Sequence, residues 1–312
     1  MHPLIDNHTN RIYPITLIGE ILVDEIYNNR TGEESVLFGG SPANIALNLI
    51  DLGLRDVQFA GAVGDDEFGD LLLKNISNNH LSTVHITTTQ HNTTVVKIDQ
   101  TESTPIPTFY RGSDYHITMT DNLRHTIAAS SILHFSYWPL SQEPARSTIK
   151  EAISIAKDNN VLVGFDPNYH PLLDEENDFD RQEIIEIIQQ VDVIKPSLDD
   201  AKRIFGGNES AESYLQRFAD LGVKLVVMTL GKDGLLCQYQ DQIIALPSMA
   251  TEVVDVTGAG DAFLSGLYSA LLHQENLETT LKMGLVCSAY NLKQVGGRSY
   301  LPTYEVLRQQ IK

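Results

Sequence analysis

Short β-like apolar runs alternate with longer stretches of helical periodicity through most of this 312-residue chain, and that alternation restricts the fold more than any other feature. A strand that is followed by a helix returns to the sheet parallel to its predecessor, and a parallel sheet needs helices over both faces. Strands are expected at Ile15 to Ile18, Val57 to Val63, Ile132 to Phe135, Val161 to Phe165, Val191 to Lys195 and Leu225 to Leu230. The periodicity predicts helices at Pro42 to Leu52, Glu67 to Asn78, Gln142 to Asn159, Arg181 to Gln190 and Leu198 to Phe205. Four more are expected at Ser210 to Leu221, Asp261 to His273, Glu278 to Lys293 and Thr303 to Ile311. The predicted class is α/β, a central and mostly parallel sheet with helices on both faces.

Two segments interrupt the alternation. Ile21 to Phe38, with NNRTGEE as a turn, and roughly Thr93 to Tyr115, where TTVVKIDQ and TPIPTFYRG surround a polar turn, read as strands. Strands inserted before helices resume predict a small β-sheet that projects from the main body as a flap over a site. No internal repeat, low-complexity tract or Pro/Ser-rich linker divides the chain, so residues 1–312 are expected to form one domain with this lid.

Composition sets the outer limits. With 42% hydrophobic and 20% charged residues, the chain can bury a large core. No apolar run approaches the roughly 20 residues that span a bilayer. The polar start MHPLIDNHTNRIYP lacks a secretory pattern, so a cytoplasmic location is expected. Asp and Glu number 41 against 22 Lys and Arg, a formal charge of −19, which argues against a general nucleic-acid or anionic-membrane surface. A nucleotide is still compatible, because backbone amides and one lysine make a small phosphate site locally positive. Cys237 and Cys287 match no metal or redox spacing and are expected to be buried and unbridged. The acidic stretch HPLLDEENDFD reads as solvated surface.

The chemistry concentrates in DVTGAGDAFLSGL, Asp255 to Leu267, which sets Asp261 directly behind Gly258-Ala259-Gly260 at the start of an apolar helix. Unpaired amides at a helix N-terminus, beside residues small enough to let a ligand approach, favour an anion, and phosphate is the expected one. A glycine turn with Asp261 as cap is the competing local reading. In FGGSPANIALNLIDLG, Gly39-Gly40 opens a helix that carries Asn44, while Asp24 lies beyond the first strand. Asp24 and Asn44 are candidate hydrogen-bonding partners for a polyhydroxylated ligand, although Ser41 and Pro42 equally suit a plain helix start. GAVGDDEFGDLL reads as a turn into a helix. In VVMTLGKDGLL the Thr229 hydroxyl and the Gly231 backbone are candidates to meet phosphate or ribose, against an ordinary turn.

The segments GGSPANIALNLIDLG, GAVGDDEFG, TLGKDG and DVTGAGDAF, in that order, resemble the ribokinase-like, or PfkB, family of carbohydrate kinases. The likeness runs from about Ile15 to the C-terminal region. It implies a Rossmann-like domain with a β-sheet lid, and transfer of the γ-phosphoryl group of ATP to a sugar hydroxyl with Mg²⁺. By that resemblance Asp261 is the base, and the amides of Gly258, Ala259 and Gly260 form an anion hole. Sugar contacts are then expected from Asp24, Gly39, Gly40, Asn44, Asp261 and Arg111, the last on the second lid segment. ATP contacts are expected from Lys195, Ser197, Thr229, Gly231, Gly258, Gly260 and Asn291. Asp255 and Thr257 match positions at which many relatives bind a potassium-type cation, and NLKQVGGRSYLP, with Gly297 and Ser299, is a candidate source of further carbonyl or hydroxyl ligands. Where relatives carry Asn-x-x-Glu near the Mg²⁺, this chain has Ser197-Leu198-Asp199-Asp200, with Asp200 left to order metal-bound water.

GEILVDEI, GGSPAN, TFYRGSD and GFDPNY resemble the fructokinase and 2-keto-3-deoxygluconate kinase branch, with fructose as first choice. In FDPNYHP, His170 stands where that branch often has Arg, which weakens the case for a carboxylated sugar acid. Asp166 and Asn168 belong to the expected phosphate neighbourhood. A 2-keto-3-deoxygluconate kinase, another sugar or nucleoside kinase, and a non-catalytic sugar- or nucleotide-binding relative are the alternatives. The expected partners are a small sugar and ATP, with neither nucleic acid nor membrane, and a second copy of the chain joined through the lid.

Overall fold

Among the residues that the computed structural model describes, 4, 11–28, 32–100, 107–169, 173, 181–298 and 300–311, thirteen strands form two sheets. In chain order the first seven are β1 (Tyr13–Ile18), β2 (Leu22–Asn28), β3 (Glu33–Gly39), β4 (Gln58–Gly64), β5 (His85–Thr89), β6 (Val95–Gln100) and β7 (Thr108–Tyr110). The remaining six are β8 (Ser130–Ser136), β9 (Leu162–Asp166), β10 (Val193–Ile194), β11 (Leu225–Thr229), β12 (Leu235–Tyr239) and β13 (Gln242–Leu246). The main sheet has the order β13-β12-β11-β10-β9-β8-β1-β4-β5. From β5 to β11 every pairing is parallel, and β12 and β13 add an antiparallel edge.

Both faces of the sheet are covered, which is why its strands read as apolar runs rather than as alternating ones. Successive β1 residues point to opposite sides. Ile15 and Leu17 pack with Ile45 and Leu49 of the helix Ser41–Asp51 and with the helices Ala259–Leu272 and Leu277–Asn291. Ile18 belongs to the opposite core, with Leu133, Phe135, Ile149 and Ile153. Cys237 and Cys287 are buried and unbridged, as their spacing predicts. Among the described residues no helix is long and apolar enough to cross a membrane.

The expected alternation is present, with differences at the ends. Val191 to Lys195 contracts to the two residues of β10, and the helix expected from Gln142 to Asn159 starts at Ala145. The helix Asp121–Ala128 and strand β5 escaped the periodicity. In that helix only Leu123, Thr126 and Ile127 are buried, too short a stripe to stand out, and its start rests on Thr120 Oγ1 accepting from the Leu123 amide at 3.1 Å.

The second sheet, β3-β2-β6-β7, is the expected lid. It pairs β2 with β6 in parallel and the outer strands antiparallel. The turn residues 29–31 and 101–106, and His170 with most of the acidic stretch after it, lie outside the described residues.

Strand β1 marks the point at which the strand order reverses. From β1 the chain builds outward to β4 and β5 on one side, then returns to β8 on the other and builds outward again. In such sheets the crevice opens at the C-terminal ends of the two strands at the reversal. Glu20 lies just beyond β1, Ser136 ends β8, Asp166 ends β9 and Lys195 follows β10.

Candidate active site

The floor of the crevice is a buried carboxylate. Glu20 accepts hydrogen bonds from Ser136 Oγ at 2.7 Å and from the Ser41 amide at 2.9 Å, so it joins the end of β8 to the first turn of the Ser41–Asp51 helix. Burial raises its pKa to about 7, against the hydrogen bonds from Ser136 and Ser41. Gly40, at φ 107°, brings the chain so close that an added Cβ would lie 2.4 Å from the Glu20 carbonyl oxygen. No other residue fits there without moving the backbone.

The same helix turn aims at Asp261. Ser41 Oγ donates to Asp261 Oδ1 at 2.7 Å and Asn44 Nδ2 donates to Oδ2 at 3.0 Å, which fixes the plane of the carboxylate. Asp261 is 8% exposed in the first turn of the Ala259–Leu272 helix. Burial raises its pKa, while Ser41, Asn44 and the charge of Lys195 hold it down.

Before it, Gly258 caps the helix in the left-handed region at φ 76°, where a Cβ would fall 2.2 Å from the Gly297 carbonyl oxygen. A Cβ on Gly260 would sit 3.0 Å from Lys195 Nζ. Gly258 and Gly260 line the cavity beside that lysine, but Ala259, expected to share their anion hole, does not, and its amide donates to the Val256 carbonyl oxygen at 3.3 Å. That lysine is 3.0 Å from Asp166 Oδ2, and both are buried. Burial lowers the Lys195 pKa, but Asp166, Asp200 and Asp261 outweigh it and keep the ammonium protonated. Burial drives Asp166 up to about 7 against the pull of Lys195.

Between these groups and the lid lies a cavity of about 400 Å³. Its lid wall is apolar, with Leu22, Val96, Ile98 and Phe109, and Trp138 joins it from the main body. Asp24 of β2 is the polar exception; burial and then the charges of Asp261 and Asp255 raise its pKa to about 7. Gly39 does not line the cavity but backs Asp24, whose Oδ2 would be 2.6 Å from an added Cβ. Thr257, Gly258, Gly260, Lys195 and Gly297 close the opposite end, with Asn168 and Asp166 beside them. An apolar wall facing hydrogen-bonding carboxylates suits a polyol, and the glycine end suits an anion.

Several expected site residues are elsewhere. Arg111 does not enter the cavity: Nε and one terminal nitrogen donate to Asp114 Oδ2, at 3.0 and 2.5 Å, and the other terminal nitrogen donates to Ser141 Oγ at 2.5 Å. A guanidinium with those partners is structural. Ser197 and Asp200 form a reciprocal helix cap, in which Asp200 Oδ2 accepts from Ser197 N and Oγ, and Oδ1 accepts from the Tyr169 amide. Their oxygens are engaged in capping rather than turned to a metal. Thr229 bridges to Ser197, Gly231 sits at φ 59° in a short turn, and Asn291 is fully buried; none of these three lines the cavity. Asp255 accepts from the Thr257 amide and hydroxyl and from the Gly296 amide, which tie the anion turn to the C-terminal segment. Ser299 lies outside the described residues.

Glu20, Ser41 as a partner of Asp261, Phe109 and Trp138 were not assigned roles from sequence. The one available signal for Glu20 was an acidic residue immediately after the apolar run of β1, where a parallel sheet puts its ligand crevice.

The chain matches the description pfkB family carbohydrate kinase over residues 14–304. It is 41% identical over 301 residues to an ATP-dependent 6-phosphofructokinase of Thermoanaerobacterium thermosaccharolyticum, covering 95% of this chain and 93% of the relative. Its fold superposes on Halothermothrix orenii fructokinase with a TM-score of 0.78 and 35% identity, over 87% of this chain and 96% of the other. A double mutant of Vibrio cholerae O395 fructokinase with fructose, ADP and potassium bound gives a TM-score of 0.85 and 26% identity, over 98% and 100% of the two chains. Because that family match takes in residues 14–304, both sheets and the crevice at the reversal point among them, this chain belongs to the pfkB family of carbohydrate kinases.

Proposed function

We propose that this ATP-dependent sugar kinase phosphorylates free fructose. The observation that carries the choice is the charge of the cavity. Its described lining holds four carboxyl groups, Glu20, Asp24, Asp166 and Asp261, the first three pushed up to about 7 by burial, against one ammonium, Lys195, which already faces Asp166 at 3.0 Å. A neutral ketohexose meets acceptors for its hydroxyls there, whereas a sugar phosphate or a sugar acid brings further negative charge into a low-dielectric site.

In this reading Asp261 accepts the proton of the attacking hydroxyl, with Ser41 and Asn44 holding its carboxylate in place. The amides of Gly258 and Gly260 receive the transferring phosphoryl group, and Lys195 beside Gly260 offsets its charge. Glu20 and Asp24 bind sugar hydroxyls, while the lid wall excludes water. Mg²⁺ bound with the nucleotide supplies further neutralisation of the phosphate oxygens. Asp166 fits as its protein partner, because Oδ1 is buried and has no hydrogen-bond partner among the described residues. Asp255, Thr257 and the segment at Gly297 are the proposed neighbours of an activating potassium ion. Two copies pair through the lid, whose outer face exposes Tyr27, Val36 and Tyr110.

ADP release from Mg-ATP with fructose, fructose 6-phosphate, 2-keto-3-deoxygluconate, ribose and adenosine, each with and without potassium, tests the reading. The expected result is the highest kcat/KM with fructose. Fructose 6-phosphate is the second reading, favoured by the name of the Thermoanaerobacterium relative; a higher kcat/KM on that substrate would replace the first.

A further inference from the structure

We infer that Asp114 is a positioning residue for the sugar, the point at which both ends of the β6–β7 segment of the lid are fastened to the tryptophan that forms the cavity wall. This inference rests on the sugar-kinase reading of the cavity and adds to it a residue outside the cavity.

Asp114 is fully buried, and its carboxylate gathers groups from three parts of the chain. Oδ1 accepts from the hydroxyl of Thr94, the residue that leads into β6, and from the amide of Gly112, just after β7, at 3.3 Å. The Gly112 amide also donates to Thr94 Oγ1 at 2.9 Å, so the incoming and outgoing lid strands are sewn together at one place. Oδ2 accepts from Arg111 Nε at 3.0 Å and from Trp138 Nε1 at 2.7 Å. Arg111 completes the knot: it donates to the Trp138 carbonyl oxygen at 3.2 Å, and its guanidinium lies 5.3 Å from the Trp138 ring centroid. Trp138 in turn meets Phe109 of β7 edge to face at 4.9 Å, and both rings line the cavity. A buried carboxylate with this many donors is strongly oriented, and charge-assisted hydrogen bonds are the stronger kind. On the β6–β7 side, the distance from lid to main body is therefore held at Asp114. The Arg111 guanidinium is held there instead of reaching sugar.

Trp138 is the only tryptophan of the chain, so its emission reports on the cavity wall directly. In Asp114→Asn one oxygen becomes an amide nitrogen that faces donors. The fructose KM is expected to rise about tenfold or more. The KM for ATP stays near the wild-type value, and the Trp138 emission maximum and its response to fructose both change. Thr94→Val, which removes the hydroxyl that donates to Asp114 and accepts from the Gly112 and Asp114 amides but leaves the Arg111 and Trp138 contacts of Asp114 in place, is expected to raise the fructose KM to a smaller extent, with Trp138 emission in the free enzyme unchanged. Unchanged fructose KM in folded Asp114→Asn overturns the inference, as does an equal loss for both substrates with unaltered emission. If Asp114→Asn does not fold, an unchanged fructose KM in Thr94→Val overturns it instead. Wild-type enzyme that neither turns over fructose nor responds to it in fluorescence counts against the substrate reading, a result distinct from a wild type that responds and an Asp114→Asn that behaves like it.

Discussion

Asp261 has both oxygens fixed by donors from one helix turn, Ser41 and Asn44, and that makes its replacement informative. Asp261→Asn keeps the shape but removes the proton acceptor, so kcat is expected to fall by about a thousandfold while the fold and the sugar KM change little. Turnover near the wild-type rate, read by ADP release, removes the base assignment. Asp24 and Glu20 make a second prediction at this scale. Each is pushed up to about 7 by burial, so between the ordinary carboxylate range and that value the folded chain holds more protons than the unfolded one. Stability then falls as pH rises through that window and levels off above it. Thermal midpoints of the ligand-free protein, taken from about pH 5 to about pH 8 at fixed ionic strength, should decline, with a shallower slope in Asp24→Asn. A wild-type midpoint that climbs across the window contradicts the burial-driven shift.

The turn Gly258 to Gly260 works as an element because two backbone segments touch there. Gly258→Ala would place a methyl 2.2 Å from the Gly297 carbonyl oxygen at a φ of 76°, forcing the turn and the C-terminal segment apart. The expected loss is about a hundredfold or more in kcat, the cost of displacing an anion-hole donor. Fructose binding, which the proposed function assigns to the lid and the Ser41–Asp51 helix, should persist in a fluorescence titration of Trp138. The Leu198–Phe205 helix gives the opposite expectation. Ser197→Ala removes one half of a reciprocal cap and should cost about 1 kcal/mol of stability. Because the hydroxyl serves the helix, the KM for ATP should hardly move; a large rise would return Ser197 to the nucleotide site.

For the whole molecule, the proposed lid pairing predicts a mass in solution of twice the chain's 34.7 kDa by light scattering, and a Tyr110→Asp change on the outer lid face should shift it toward the monomer. A single-chain mass for the unaltered protein rules out the pairing. The fold at this scale was largely legible from the chain alone, since apolar period and element spacing are local properties. The strands that were clearest, such as Val57 to Val63 and Leu225 to Leu230, are those buried on both faces. The elements that escaped notice have few buried residues, as in Asp121–Ala128, or lie at the sheet edge, as in β5.

The sequence by itself determined the α/β class, the lid insertions, and the glycine turn with Asp261 behind it, because each of these lies within a short contiguous stretch. Tertiary structure alone decided which side chains meet. Ser41 and Asp261 are 220 residues apart, and Glu20 and Ser136 are 116 apart, so no local pattern could pair them. It also decided the fate of Arg111, whose guanidinium was claimed by Asp114, Ser141 and Trp138 before any ligand could use it. Asp200 was likewise taken by a helix cap. A buried polar group must satisfy its hydrogen bonds with whatever the fold brings near, and that neighbourhood is fixed by packing rather than by residue type.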